Sequence, residues 1–337
     1  MVDSQGCWRL GVLAPSRRLA PCNAPADEHR LGFSIAWVLV LALLVAAAPR
    51  SAKAAACCVS ATSFGVGRLL IWEDFAVGLQ LGHARVLGQW DPGGTLRWNP
   101  DDYSEGISHA QLWAIARLRE RLELQGWLPV LINDRWSGAT SQIAGGMGDV
   151  GAAIRWQILA IGEIHPLPSL ALTVGGFAPT GHRIEQTSPP LFAGATGRGA
   201  WGGSLALESE YAPSPWFVRL EAGATGFLSF EREDTGRREQ YGPLVRACLS
   251  GGREVVPGKV VVAAAALGEW QSPLRLEGES VPDSQSHLYS LAASISWRFD
   301  PHWTLLGVLS SSVWPQGFGA NQDARIDFTA GVRYGYF

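Results

Sequence analysis

Glycines at 146, 148 and 151 spell G-x-G-x-x-G within the stretch GGMGDVGAAIRW, residues 145–156. That spacing can cradle a dinucleotide pyrophosphate, because glycine permits a tight turn and close backbone approach. The chemistry also needs a buried strand before the glycines, a helix after them, and an acid about 20 residues further on. Here the preceding NDRWSGATSQIAG reads as a polar loop. The following residues alternate Asp149, Gly151, Ala153, Arg155 and Gln157 with Val150, Ala152, Ile154, Trp156 and Ile158. Alternation of this kind marks a strand, and the window around residue 170 holds no acid. No dinucleotide site is expected.

Other reactive arrangements are equally incomplete. The seven histidines show neither H-E-x-x-H nor any metal-ligand spacing, and no G-x-S-x-G elbow occurs. Ser108 and His109 adjoin, which invites comparison with the phospholipase barrel of the outer membrane. Neighbours on a strand point to opposite faces, however, so these two are not expected to act together. The sequence predicts no catalytic residue, no metal and no cofactor. A lipid hydrolase stays open as a lesser alternative.

The elements that carry these residues repeat with period two. FAVGLQLGH (75–83) sets Phe75, Val77, Leu79 and Leu81 against Ala76, Gly78, Gln80 and Gly82. HLYSLAASISWRF (287–299) sets Tyr289, Leu291, Ile295 and Trp297 against Ser290, Ser294, Ser296 and Arg298. Twelve such segments lie near 68–90, 107–118, 121–132, 148–160, 168–179, 199–211, 216–230, 241–252, 259–271, 286–299, 302–314 and 324–337. Most match the about 9–11 residues a tilted strand needs to cross a bilayer. Short connections (119–120, 213–215, 256–259, 300–302) mostly alternate with long polar ones. The expected fold is therefore all-β: a transmembrane antiparallel β-barrel of about 12 strands, with short periplasmic turns and long extracellular loops.

Composition agrees. Hydrophobic residues make up 47% of the 337-residue chain and charged residues only 17%, with 40 Gly and 15 Trp. A soluble domain carries about 25% charge. Tryptophans and tyrosines gather at strand ends, as membrane girdles require: Trp156, Tyr211, Trp216, Trp297, Trp303 and Tyr336 beside short turns, Trp90, Trp201, Trp270 and Trp314 beside long loops.

The charges inside strands fall mostly on the polar face. Arg117, Arg119, Glu123, Asp149, Arg155, Glu208, Glu210, Arg219, Glu221, Arg246, Arg298, Asp327 and Arg333 belong to this set. In lipid a central Arg would cost about 2–4 kcal/mol, so the lumen is the expected place for them. There they either brace a narrow barrel as salt bridges or line a path for solutes.

Before the barrel, residues 31–48 are uncharged, follow Arg17, Arg18 and Arg30, and precede small residues suited to cleavage. Residues 1–56 are read as an N-terminal extension and signal peptide, 57–67 as a short N-terminal segment, and 68–337 as the barrel. Cys57 could mark a lipidated mature terminus, though the Ala-Ala-Ala before it is no lipobox. The region after residue 56 has 21 basic and 27 acidic residues, which gives nucleic acid no basic surface. The chain ends IDFTAGVRYGYF, similar to strands read by the barrel-assembly machinery. Its apolar positions are offset by one from Phe337, which places that ring inward or past the bilayer.

RERLELQGWLPVL (119–131), GGMGDVGAAIRW (145–156), PSLALTVGGFAPTGHR (168–183) and GRGAWGGSLALESEY (197–211) occur in order. Together they resemble the outer-membrane family named for the meta-cleavage pathway of phenol degradation. The matching features are Pro129, Gly148-Asp149 and Pro179-Thr180-Gly181. The resemblance implies an outer-membrane channel or transporter of a Gram-negative bacterium, for small hydrophobic or aromatic compounds. A non-transporting structural or partner-binding barrel is the alternative. Expected partners are outer-membrane lipid, the barrel-assembly machinery and a small hydrophobic solute.

Overall fold

Period-two segments too long for a soluble sheet close on themselves. The computed structural model describes residues 68–164, 167–313 and 317–337. Twelve long strands run β1 (Phe75–Trp90), β2 (Tyr103–Arg119), β3 (Leu122–Ser137), β4 (Val150–Leu159), β5 (Ser169–Ala178), β6 (Gly202–Tyr211), β7 (Trp216–Phe227), β8 (Leu244–Val256), β9 (Val260–Gln271), β10 (Ser286–Arg298), β11 (Trp303–Ser311) and β12 (Gln322–Tyr336). Each pairs antiparallel with its neighbours in sequence, and β12 pairs with β1 from Phe75↔Tyr336 to Trp90↔Gln322. The barrel is thus closed, leaving no long edge unpaired, as hydrocarbon demands.

Parity decides what each side chain meets. Leu81, Leu112, Leu205, Leu220, Leu249, Leu291, Leu309 and Phe328 stand exposed on the outside. Their cross-strand partners continue a belt too large and apolar for water. That belt on a closed barrel places the protein in the outer membrane. No described helix is long and apolar enough to cross a membrane; the chain crosses with strands.

Inward glycines make room for inward rings. Gly78 lies opposite Trp113, and Gly151 opposite Trp127. A Cβ at either glycine would collide with the facing indole. Gly151, the last glycine of the fingerprint-like stretch, is therefore a packing residue.

Several expectations change at the ends of strands. Residues 68–74 do not extend β1; Glu73 N–H donates to the Leu70 carbonyl, folding the segment back inside the barrel. The long connections are also less bare than polar composition suggests. β3 continues into a hairpin, because Thr140–Met147 pairs with residues 130–137 around a turn at Gly138, whose φ is +57°. Thus NDRWSGATSQIAGG, expected as a loop, is mostly strand: its alternating groups find ladder partners within the same hairpin. Leu96–Trp98 pairs with β1, and the loops after β7 and β9 share a small four-stranded sheet.

Trp90, expected in the outer girdle, faces inward on the parity of Ala76 and Gly78. It is buried against Leu288 and Ala324 and donates Nε1–H to the Ser312 carbonyl at 3.1 Å. Trp201 and Trp270 are exposed as expected. Phe337 lies one residue past β12 and stacks on His302, ring centroids 4.5 Å apart. Trp314, the residues 1–56 and 57–67, and Cys57 lie outside the described residues.

Candidate functional site

β3 to β7 each turn at least one polar or charged side chain inward, and those of β3, β4, β6 and β7 join across the lumen. Arg155 on β4 sits between Glu123 on β3 (3.4 Å) and Glu208 on β6 (2.9 Å). Arg219 on β7 reaches Glu208 at 2.8 Å and Glu221 at 3.0 Å. Glu208 is therefore shared by two arginines. All five are buried. Desolvating isolated charges costs several kcal/mol each, which explains why none stands alone.

At the end of the barrel where the chain enters, Arg68, Leu69, Leu70 and Glu73 are buried in the lumen, while Ile71 and Trp72 between them are exposed. Arg68 pairs with Glu210 of β6 at 2.8 Å. Glu73 pairs with Arg333 of β12. Arg117 on β2 donates to the carbonyls of Leu70 at 2.6 Å and Glu73 at 2.9 Å. Leu69 packs against Trp113 and Ile115. The segment is thus tied to three strands by charge-assisted bonds, the strong kind.

The opposite wall carries small side chains between its charges. A cavity of about 300 Å³ runs along β8 to β12, lined by small residues such as Ala263, Ala265, Ser290, Ala292, Ser294 and Ser310. Polar groups border it: His109, Gln111, Asp327, Arg219 and Glu221. Asp327 accepts the Thr329 hydroxyl at 2.9 Å. Arg246 pairs with its cross-strand neighbour Glu269 at 2.7 Å, at the same cavity. The lumen is thus divided, with packed charge on one side and open space against small side chains on the other.

Residues 104–322 match the family described as "Putative MetA-pathway of phenol degradation". The chain belongs to that family. The COG4313 outer membrane channel from Pseudomonas putida F1 superposes at a TM-score of 0.66 and 15% identity, covering 82% of this chain and all of that one. At that identity the likeness speaks for the fold. The NanC porin covers 77% of this chain and 98% of its own at 7% identity and a TM-score of 0.45. The TodX monoaromatic hydrocarbon channel covers 77% and 89% at 11% identity and 0.39. No curated protein matches.

The remaining site expectations for this family member divide by position. Arg298 lies over the Trp72 ring, 5.8 Å from its centroid, at the barrel end near residue 68. Arg119 is exposed at the end of β2. Asp149 leaves the strand parity altogether: its carboxylate accepts backbone N–H groups from Gly181 (3.1 Å) and Arg198 (2.9 Å). It follows that Asp149 braces a loop instead of lining the central lumen. Among the described residues no cluster could hold a metal ion.

Arg68, Glu73, Asn133 and the pair Arg135–Glu105 (2.8 Å) were not expected at the site. Asn133 and Arg135 carried a signal, because they share the inward parity of Glu123 and Gln125 along β3. Ser108 and His109 do face opposite sides, yet Ser108 has another partner. On the outward face its Oγ lies 3.0 Å from His83 Nδ1, across the β1–β2 ladder. Register alone reveals that pair.

Proposed function

We propose that the protein is a channel through the Gram-negative outer membrane for small solutes of apolar or aromatic character. The single observation that carries this reading is the divided lumen. The charge network braces β3 to β7, which frees the facing wall to remain open and lined by small side chains. Membership of a family named for phenol degradation, and the channel named as a fold relative, both support it. A solute with an apolar body would slide along Ala263, Ala292 and Val308, with hydrogen bonds from the serines between them.

Arg117, Glu123, Arg155, Glu208, Glu210, Arg219, Glu221, Arg246, Arg298, Asp327 and Arg333 serve two tasks in this proposal. Most brace the wall; Arg219, Glu221 and Asp327 also border the path. Residues 68–73 act as a stopper at the chain-entry end, and its release widens the channel. No cofactor takes part. The expected route to the membrane is export, cleavage after the 31–48 segment and folding by the barrel-assembly machinery, which would read the aromatic β12. Solute flux or ion conductance in reconstituted liposomes tests the proposal. A folded barrel that passes nothing, even with Arg68 and Glu73 both replaced by Ala, refutes it and favours the structural or partner-binding alternative.

A second reading has one observation in its favour, the outward Ser108–His83 pair. A serine and histidine at hydrogen-bond distance on the lipid side is the start of a nucleophile–base arrangement. The test is labelling by a fluorophosphonate probe that disappears in Ser108→Ala. Absence of labelling leaves the pair as two polar groups satisfying each other at the membrane edge.

A further inference from the structure

The three family-like motifs, Pro129, Gly148-Asp149 and Pro179-Thr180-Gly181, lie far apart in sequence and meet at one point. Proline at 129 has no N–H, so the ladder between β3 and the chain beyond Thr140 breaks there. Met147 pairs with Val130 and Gly151 with Trp127, so the ladder to β3 is interrupted across residues 148–150. Gly148 N–H instead donates to the Pro129 carbonyl at 2.8 Å. The chain kinks, and Asp149 swings off the strand.

The loop between β5 and β6 closes on that kink. Asp149 takes one N–H from each side of its neck, Gly181 and Arg198. Thr180 Oγ1 donates to the Gly148 carbonyl at 2.6 Å and accepts from Val150 N–H at 3.0 Å. Gly181 and Gly197 touch backbone to backbone, since a Cβ on Gly181 would stand 2.6 Å from Gly197 Cα. Beyond this neck the loop turns inward. Asn133 Nδ2 donates to the Ala193 and Ala195 carbonyls at 2.7 and 2.8 Å, and Arg135 to Leu191 at 2.8 Å. Because Asn133 and Arg135 belong to the inward face of β3, the segment they hold lies inside the extracellular mouth. Ala193 is fully buried there.

We infer that Asp149 is a positioning residue that fixes the segment 182–199 within the extracellular mouth and thereby sets the size of solute the channel admits. This rests on the channel reading above. A long loop left untied samples many conformations, and each doubling of its free length adds a further entropic cost to ordering it. A carboxylate that accepts two backbone N–H groups at the neck removes that freedom where it matters most. Asn at 149 would offer one acceptor oxygen to two donors, and Ala none.

The test places a thiol on the segment. In a chain with all five native cysteines replaced by Ser, Ala193→Cys is labelled by a membrane-impermeant maleimide in proteoliposomes. Slow labelling is expected with Asp149 present, at least about tenfold faster labelling with Asp149→Ala, and an intermediate rate with Asp149→Asn. The heat-modifiable gel shift confirms that each barrel is folded. Should Asp149→Ala fail to fold, Thr180→Val loosens the same neck and is expected to speed labelling likewise. Conductance and swelling assays on the same proteins should show larger solutes entering the loosened variant. Unchanged labelling in folded Asp149→Ala overturns the positioning role. Faster labelling with an unchanged solute cut-off overturns its effect on selectivity. Faster labelling with no conductance in either protein overturns the channel reading and the selectivity role together, while leaving the clasp.

Discussion

Replacing Glu208 with alanine removes the carboxylate shared by Arg155 and Arg219, at 2.9 and 2.8 Å. Both arginines and the glutamate are buried, so the loss is not repaid by bulk water. Breaking a buried pair by deleting one partner costs about 3–5 kcal/mol. Arg155 keeps Glu123 at 3.4 Å, and Arg219 keeps Glu221 at 3.0 Å. These remaining partners place the cost at the lower end, about 3 kcal/mol, which is about a hundredfold in the folding equilibrium. The assay is urea unfolding of the lipid-reconstituted barrel, followed by tryptophan fluorescence. Arg97→Ala serves as the comparison, since the Arg97 side chain that pairs with Asp91 is 76% exposed. Exposed pairs contribute about 0–1 kcal/mol. A double-mutant cycle between Arg155 and Glu208 should give a coupling of about 1–3 kcal/mol. If Glu208→Ala costs no more than Arg97→Ala, the lumen network is not a brace and the reasoning fails.

Gly151→Val should drive a side chain into the Trp127 indole and destabilise the barrel by at least about 1–3 kcal/mol; adding Trp127→Ala should recover much of that loss in the same unfolding assay. Leu220→Arg faces lipid beside inward Arg219 and should cost about 2–4 kcal/mol if it lies near the midplane; a smaller change than Ser250→Ala would contradict the parity. Asp91, in the turn after β1, is held below the ordinary carboxylate range by the Thr95 N–H first, with Arg97 and the Gly93 N–H adding to it. Its folded pKa is depressed, so the turn gains stability above the unfolded value of about 3.9 and loses it as pH falls through the folded value. Amide-exchange protection at Thr95 should therefore fall in that acid range, whereas Asp91→Asn should flatten the profile.

Period two made the barrel legible. Leu79 and Leu81 against Gln80 and Gly82, or Leu291 and Ile295 against Ser294 and Ser296, sort by face with no knowledge of neighbours. The same parity put Glu123, Arg155, Glu208, Arg219 and Glu221 on one side of the sheet. Pairing was not legible, because it depends on register between distant segments. Arg68 meets Glu210, and Glu73 meets Arg333 some 260 residues away. Nothing local in residues 68–74 distinguishes a strand start from a segment folded into the lumen. His83 and Ser108 likewise meet only through the β1–β2 register. Asp149 departed from expectation because Pro129, on another strand, breaks the ladder beside it. Trp90 was misplaced for a simpler reason: aromatic type at a strand end outweighed a parity that already pointed inward.

Single-channel conductance of two adjacent variants tests the central claim, that solutes cross through the lumen along the small-residue wall. Ala292 on β10 faces the cavity, and Ala293 beside it is exposed on the outer face. Tryptophan at 292 should cut conductance by more than half, while tryptophan at 293 should leave it unchanged. Equal conductance in Ala292→Trp and the parent barrel, or a loss confined to Ala293→Trp, would contradict the account.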